Sequence, residues 1–263
     1  MLHLSRRQIT VLGLATLVGT PAWAQVKDLN DAINKAGRQR MLSQRTAKAY
    51  LALALQTQTS QAEKILSQSM ALFDRQLTEL KSFSPTADIR DTYTQLEAAW
   101  SNYKEKLVGK APTLAGAEAV IAQSEAVLQL AHKGTGQLEQ ASGAPVGHLV
   151  NVAGRQRMLS QRLAKYSYAT AGKIDPNGAQ AEIGKARTDF LAGMKTLADA
   201  PQATPRIKDQ LKLADQQWVF FDSALQSTRE GTASKDTLAN VLTTSENILT
   251  VLNDVTGLYA ALT

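Results

Sequence analysis

Five cations, Lys35, Arg38, Arg40, Arg45 and Lys48, crowd a stretch from Ala32 to Ala62 that contains no acid. A second acid-free stretch, Ala141 to Ile174, carries Arg155, Arg157, Arg162, Lys165 and Lys173. Arginine offers a planar fork of donors suited to multi-oxygen anions, and its charge-assisted hydrogen bonds are stronger than neutral ones. Apart from Lys35 with Asp31, none of the motif cations has an acid three or four residues away on a helix, so their partners must come from elsewhere. On a helix Asn34, Gly37, Met41, Gln44 and Lys48 share one face, flanked by Arg38 and Arg45 on one side and Arg40 on the other. A glycine gap beside an amide and arginines suits a small, planar oxyanion. In the competing arrangement Glu125 and Glu246, or Asp91 and Asp209, reach across a bundle to these arginines. Both can hold together, because each buried arginine needs a partner.

The two cationic stretches are copies of one another. Ile33 to Lys48 and Val150 to Lys165 are identical at 13 of 16 positions at an offset of 117, which marks an internal duplication. The match continues weakly through Phe73/Phe190, Leu80/Leu197, Trp100/Trp218, Ser124-Glu125/Ser245-Glu246 and Thr135-Gly136/Thr256-Gly257. Immediately after the motif, residues 49–82 and 166–199 agree at only 5 of 34 positions, although a bundle core accepts volume-conserving exchange everywhere. A specific demand therefore acts on Ala36–Arg45 and Ala153–Arg162. One such demand is an anion site. Another is a tight helix contact in which Gly37 and Gly154 admit a neighbouring backbone and Met41 and Met158 fill gaps.

The elements that must carry these residues are helices. Ala, Leu, Gln, Lys and Ser dominate, aromatics make up 5%, and there are only 16 glycines and 7 prolines in 263 residues, a helical composition. Helices are predicted near 27–57, 60–82, up to Val108 and 114–140, with breaks at Ser84-Pro85 and Gly109 to Pro112. Ile65, Leu72, Phe73, Leu77 and Leu80 form an amphipathic stripe. The second copy repeats the plan, with breaks at Asp175-Pro176-Asn177-Gly178, Pro201 to Pro205 and Gly231. Short connections read as two tandem antiparallel four-helix bundles, an all-α fold. The expected modules are 25–142 and 145–263. The linker Ser142 to Pro145 is so short that the helices on either side are expected to run almost end to end.

Residues 1–24 read as a secretory signal: Arg6 and Arg7, an apolar run from Val11 to Val18, and Ala22-Trp23-Ala24 before a cleavage point at Gln25. The apolar run falls short of the about 20 residues of a membrane helix. Ser5-Arg6-Arg7-Gln8-Ile9 also resembles a twin-arginine export consensus. The mature chain is expected to be periplasmic, without a membrane span and with a charge near +4, down from +6.

Other chemistries find little footing. There is no cysteine, hence no disulfide, thiol nucleophile or Cys-ligated zinc. No Glu-x-x-His pair supports a di-iron bundle. His132 and His148 lack a partner motif, and the repeat places Asn253 opposite His132, so no catalytic or metal-ligating set is assigned and no cofactor is expected. Export and modest charge argue against nucleic acid. Trp100 and Trp218 read as core anchors.

The segment from Asn34 to Arg45, and its copy, resembles the signature of the periplasmic sensor domain at the N-terminus of type IV pili methyl-accepting chemotaxis transducers, a domain related to the sensor region of nitrate/nitrite-responsive histidine kinases. The resemblance implies a four-helix bundle that pairs through its first helices and a motif N-x-A-G-x-x-R-M that binds one nitrate across the two-fold axis. By motif position it implies contacts from Asn34, Gly37 and Arg40 and from Asn151, Gly154 and Arg157. Arg38, Arg45, Arg155 and Arg162 join the candidate set as flanking cations. The chain departs from the kinase pattern at Arg38-Gln39 and Gln44, where the kinases carry Ser-Leu and Tyr. The duplication suggests an intramolecular pseudo-dimer in which Arg40 and Arg157 clamp one oxyanion, nitrate or nitrite. The alternative is an interaction protein whose basic motif docks a membrane receptor or sensor kinase with no small ligand. Burial of Arg40 and Arg157 in a closed seam favours the first reading; exposure on an open surface favours the second.

Overall fold

The structure, a computed structural model, describes residues 25–228 and 233–262; the expected signal segment lies outside the described residues. Eight helices follow in order: α1 (Leu29–Ala54), α2 (Thr59–Phe83), α3 (Ala87–Val108), α4 (Leu114–Ser142), α5 (Pro145–Ala171), α6 (Pro176–Asp199), α7 (Pro205–Ser227) and α8 (Lys235–Ala260). No strand occurs among the described residues. Their starts follow local chemistry. The side chains of Asp28, Thr86, Thr113, Thr204 and Ser234 each accept a hydrogen bond from a backbone N–H in the first turn, satisfying donors that have no intrahelical partner. Pro145, Pro176 and Pro205 open α5, α6 and α7, where a missing N–H costs nothing.

Within each half, the first helix packs against the second and fourth, and the third against the fourth. The halves are joined chiefly by α1 against α5. These two helices run parallel: Gly147 lies beside the Ile33 side chain, and the Lys48 ammonium reaches Gln161. In α1, 18 of 26 residues are buried, so this helix is enclosed nearly all round rather than along one stripe. Each half also closes its own apolar centre. Phe73 stacks on Trp100 at 3.9 Å, with Tyr103 edge-on, and Phe190 stacks on Trp218 at 4.4 Å, with Phe221 edge-on.

One expectation is corrected. The helices around the linker do not run end to end; the chain reverses. Gly143, at φ +60°, ends α4 in the left-handed region that glycine enters without strain, and Pro145 starts α5 two residues later. The result is a helical hairpin in which Glu139 meets His148 and Glu125 meets Arg162, at matching distances from the turn.

Candidate functional site

Gly37 and Gly154 face each other across the α1–α5 contact. A β-carbon on Gly37 would stand 3.5 Å from the Cα of Gly154, 3.2 Å from Nη2 of Arg40 and 3.4 Å from Nη2 of Arg157. A β-carbon on Gly154 would meet both of those nitrogens at 3.3 Å. The two guanidinium ends therefore converge on one spot, and a β-carbon on either glycine would crowd them. Side chains on a helix lean toward its N-terminus, which brings Arg40 and Arg157 back from their own positions to the glycine level.

The contacts are reciprocal. Arg40 Nη2 donates to the Asn151 carbonyl at 3.1 Å, and Arg157 Nη2 donates to the Asn34 carbonyl at 3.0 Å. Arg40 Nη1 lies 3.3 Å from His132 Nδ1 on α4, and Arg157 Nη1 donates to Asn253 Oδ1 on α8 at 3.3 Å. Both arginines are 0% exposed. Neither forms an ion pair among the described residues, and their Nε atoms, with the Oδ1 atoms of Asn34 and Asn151, are buried without a hydrogen-bond partner there. Buried polar groups without partners are few in native proteins; here four of them belong to the two arginines and to the two asparagines whose carbonyls those arginines hold.

The field at this spot is strongly positive. Burial and, after it, Arg155 lower the pKa of Arg40 to about 10, with Glu139 and Tyr93 acting in the opposite sense. Burial lowers Arg157 well below the usual arginine value, and Arg38 and Arg40 add to the effect, with no acid opposing. An arginine side chain keeps its proton in proteins, so two positive charges meet here. Each buried arginine thus feels the flanking arginine of the other copy.

The remaining candidates lie apart from the convergence point. Arg45 and Lys48 of α1 both bind Glu246 of α8, with Arg45 also donating to Ser69 and Lys48 to Ser245 and Gln161. Symmetrically, Arg162 and Lys165 of α5 bind Glu125 of α4, with Glu182 also taking Arg162. The retained Ser-Glu pairs therefore do reach the motif cations, and they do so across the halves. Asp91 and Asp209 make no such contact; Asp209 faces Lys212 on its own helix. Burial by itself would raise the pKa of Glu246, but Lys48 and Arg45 hold it down to about 2. Arg38 is half-buried near Asp31, Arg75 and Glu79, and exposed Arg155 pairs with Asp189.

Several partners were not singled out from sequence as part of a site. Gln44 and Gln161 donate to the carbonyls of Ser124 and Ser245, and Ser43 and Ser160 to those of Arg40 and Arg157. His132 carries no catalytic role by sequence because the repeat aligns it with Asn253, yet the two touch equivalent arginines. That alignment was the available signal.

Among the described residues, no helix is long and apolar enough to cross a membrane. The family model for the type IV pili methyl-accepting chemotaxis transducer N-terminal domain matches this chain twice in tandem, over residues 22–133 and 139–246. No curated protein and no solved structure matches it.

Proposed function

The chain belongs to the type IV pili methyl-accepting chemotaxis transducer N-terminal family, a family of sensory domains in signal transduction, and from that premise we propose that it senses a small oxyanion, nitrate or nitrite, gripped between Arg40 and Arg157. The observation that carries this reading is the convergence of two fully buried arginines, without a carboxylate partner among the described residues, on the Gly37/Gly154 crossing. A buried cation without a counter-charge is costly, and an anion on the pseudo-two-fold axis offsets both at once. A planar oxyanion there accepts from both guanidinium forks, and the unpaired Nε donors lie on the same two side chains. One chain then performs through its two halves what the related kinases perform through two subunits.

Burial of Arg40 and Arg157 speaks for a ligand site over docking of the motif on a partner's surface. The Ser-Gln-Arg-x-x-Lys half of each motif has a separate task, pinning α1 to α8 and α5 to α4. In this reading residues 1–24 direct export to the periplasm, and anion binding tightens the α1–α5 seam. The tightened seam is read by a membrane receptor or sensor kinase.

A thermal melt of the mature protein, titrated with nitrate, nitrite, sulfate and chloride, tests the reading. A ligand that binds only the folded state stabilises it by about 2.7 kcal/mol at a hundredfold excess over Kd. Nitrate or nitrite is expected to raise Tm selectively, and the Arg40→Ala/Arg157→Ala double variant to abolish the rise. A rise that persists in the double variant, or no anion-specific rise in the unaltered protein, overturns it.

A further inference from the structure

The two halves of the site differ in the side chain that meets the buried arginine. Arg157 rests against Asn253, whereas Arg40 rests against His132, and among the described residues His132 is the only titratable side chain hydrogen-bonded to either buried arginine. A guanidinium has donors and no acceptor, so at 3.3 Å from Arg40 Nη1 the His132 Nδ1 must be the acceptor. The ring in this arrangement is neutral and carries its proton on Nε2. His132 is also exposed, lining a groove of about 190 Å³ between α4, α5 and α6. Its ring therefore links solvent to a wholly buried arginine.

We propose, building on the anion reading above, that His132 is a proton-coupled ligand of the site: its Nδ1, which accepts from Arg40 while bare, donates to the bound oxyanion once protonated, so anion and proton bind together. An imidazolium against Arg40 brings two cations into contact, and that contact is tolerable only with an anion between them. The charged surroundings come from four helices. Arg40 faces the ring from α1. From α5 come Arg155, which pairs with Asp189, and Arg162, which is committed to Glu125 and Glu182. Lys185 of α6 lines the same groove, and Glu139 of the ring's own helix is occupied by His148 and Asn151. Burial, Arg40 and Arg155 hold the His132 pKa below its ordinary value of 6.5, with Glu139 opposing. An anion that neutralises Arg40 relieves that suppression and raises it. By linkage, affinity then falls as pH rises between the two values, by at most about tenfold per pH unit. Asn253 accepts from Arg157 as His132 does from Arg40 but does not titrate, so only one half of the site responds to protons.

The test is nitrate and nitrite binding by calorimetry from about pH 5 to about pH 8, the range in which histidine titrates, in the unaltered protein and in His132→Asn, which gives the first half the contact of the second. The unaltered protein should lose affinity several-fold as pH rises, and His132→Asn should bind with little pH dependence. Flat affinity in the unaltered protein, or an unchanged slope in His132→Asn, overturns the coupling while leaving the anion site standing. No binding by the unaltered protein at any pH overturns the anion site and the coupling with it. A readout that needs no variant is the His132 ring resonance: an Nε2–H tautomer without anion and a raised pKa with nitrate are expected, and a pKa that nitrate leaves in place contradicts the proposal.

Discussion

At the scale of single residues, the motif divides into two jobs that its sequence merges. Asn34, Gly37 and Arg40, with Asn151, Gly154 and Arg157, meet at the axis, whereas Arg45 and Arg162 are spent on Glu246 and Glu125. Gly37→Ala separates the anion reading from a purely packing role for glycine. The added β-carbon meets the Gly154 Cα at an ordinary 3.5 Å but crowds the flexible ends of Arg40 and Arg157. Alanine also favours a helix over glycine by about 1 kcal/mol. The anion-free Tm is therefore expected to hold or rise slightly while the nitrate-induced shift falls; a large loss of anion-free stability points instead to close helix packing as the reason for the glycine. The arginines and the glycine were legible because the duplication held them fixed while neighbouring residues drifted. His132 was not, because a histidine aligned with an asparagine looks like drift until both are seen to contact equivalent arginines.

At the scale of helices, the breaks at Ser84-Pro85 and Gly109 to Pro112 fall where the sequence places them, whereas the break expected at Asp175 to Gly178 lies at residues 172–175, because Asp175 caps α6 and Pro176 opens it. The Gly143 reversal was not legible in the same way. A two-residue linker fits either a continuous rod or a hairpin, and the choice turns on the sign of one φ. The crosswise ion pairs follow from that reversal, because it sets α4 beside α5 and places Glu125 against Arg162 and Lys165. Glu246→Gln leaves the fully buried Lys48 without its carboxylate, and breaking one partner of a buried pair costs about 3 kcal/mol or more. Glu125→Gln should act likewise on Lys165. The same contacts set an acid limit. Glu246 is held at about 2 against an ordinary 4.5, and a carboxylate with a depressed pKa in the folded state contributes stability that is complete above its ordinary value and lost as pH falls toward the lower one. Denaturant melts should show stability dropping between about pH 4.5 and 2, and less steeply in Glu246→Gln; an equal slope in both would remove Glu246 as the cause.

At the scale of the whole molecule, the duplication makes two copies of one module into the two halves of a single site. The repeat follows from comparing the sequence with itself, the helical class from composition, and the pairing of the first helices is what the family resemblance implies. The exchange of acids between halves does not, because nothing in one copy tells whether Glu125 serves its own bundle or the other. Each contact of Arg40 has its counterpart in Arg157, with Asn253 in the place of His132, so the account requires one anion shared by both halves rather than one per module. Calorimetric titration of the protein with nitrate measures this directly. The account predicts one ion per chain, lost in Arg40→Ala alone and equally in Arg157→Ala alone; two ions per chain, or one that survives either single substitution, would contradict it.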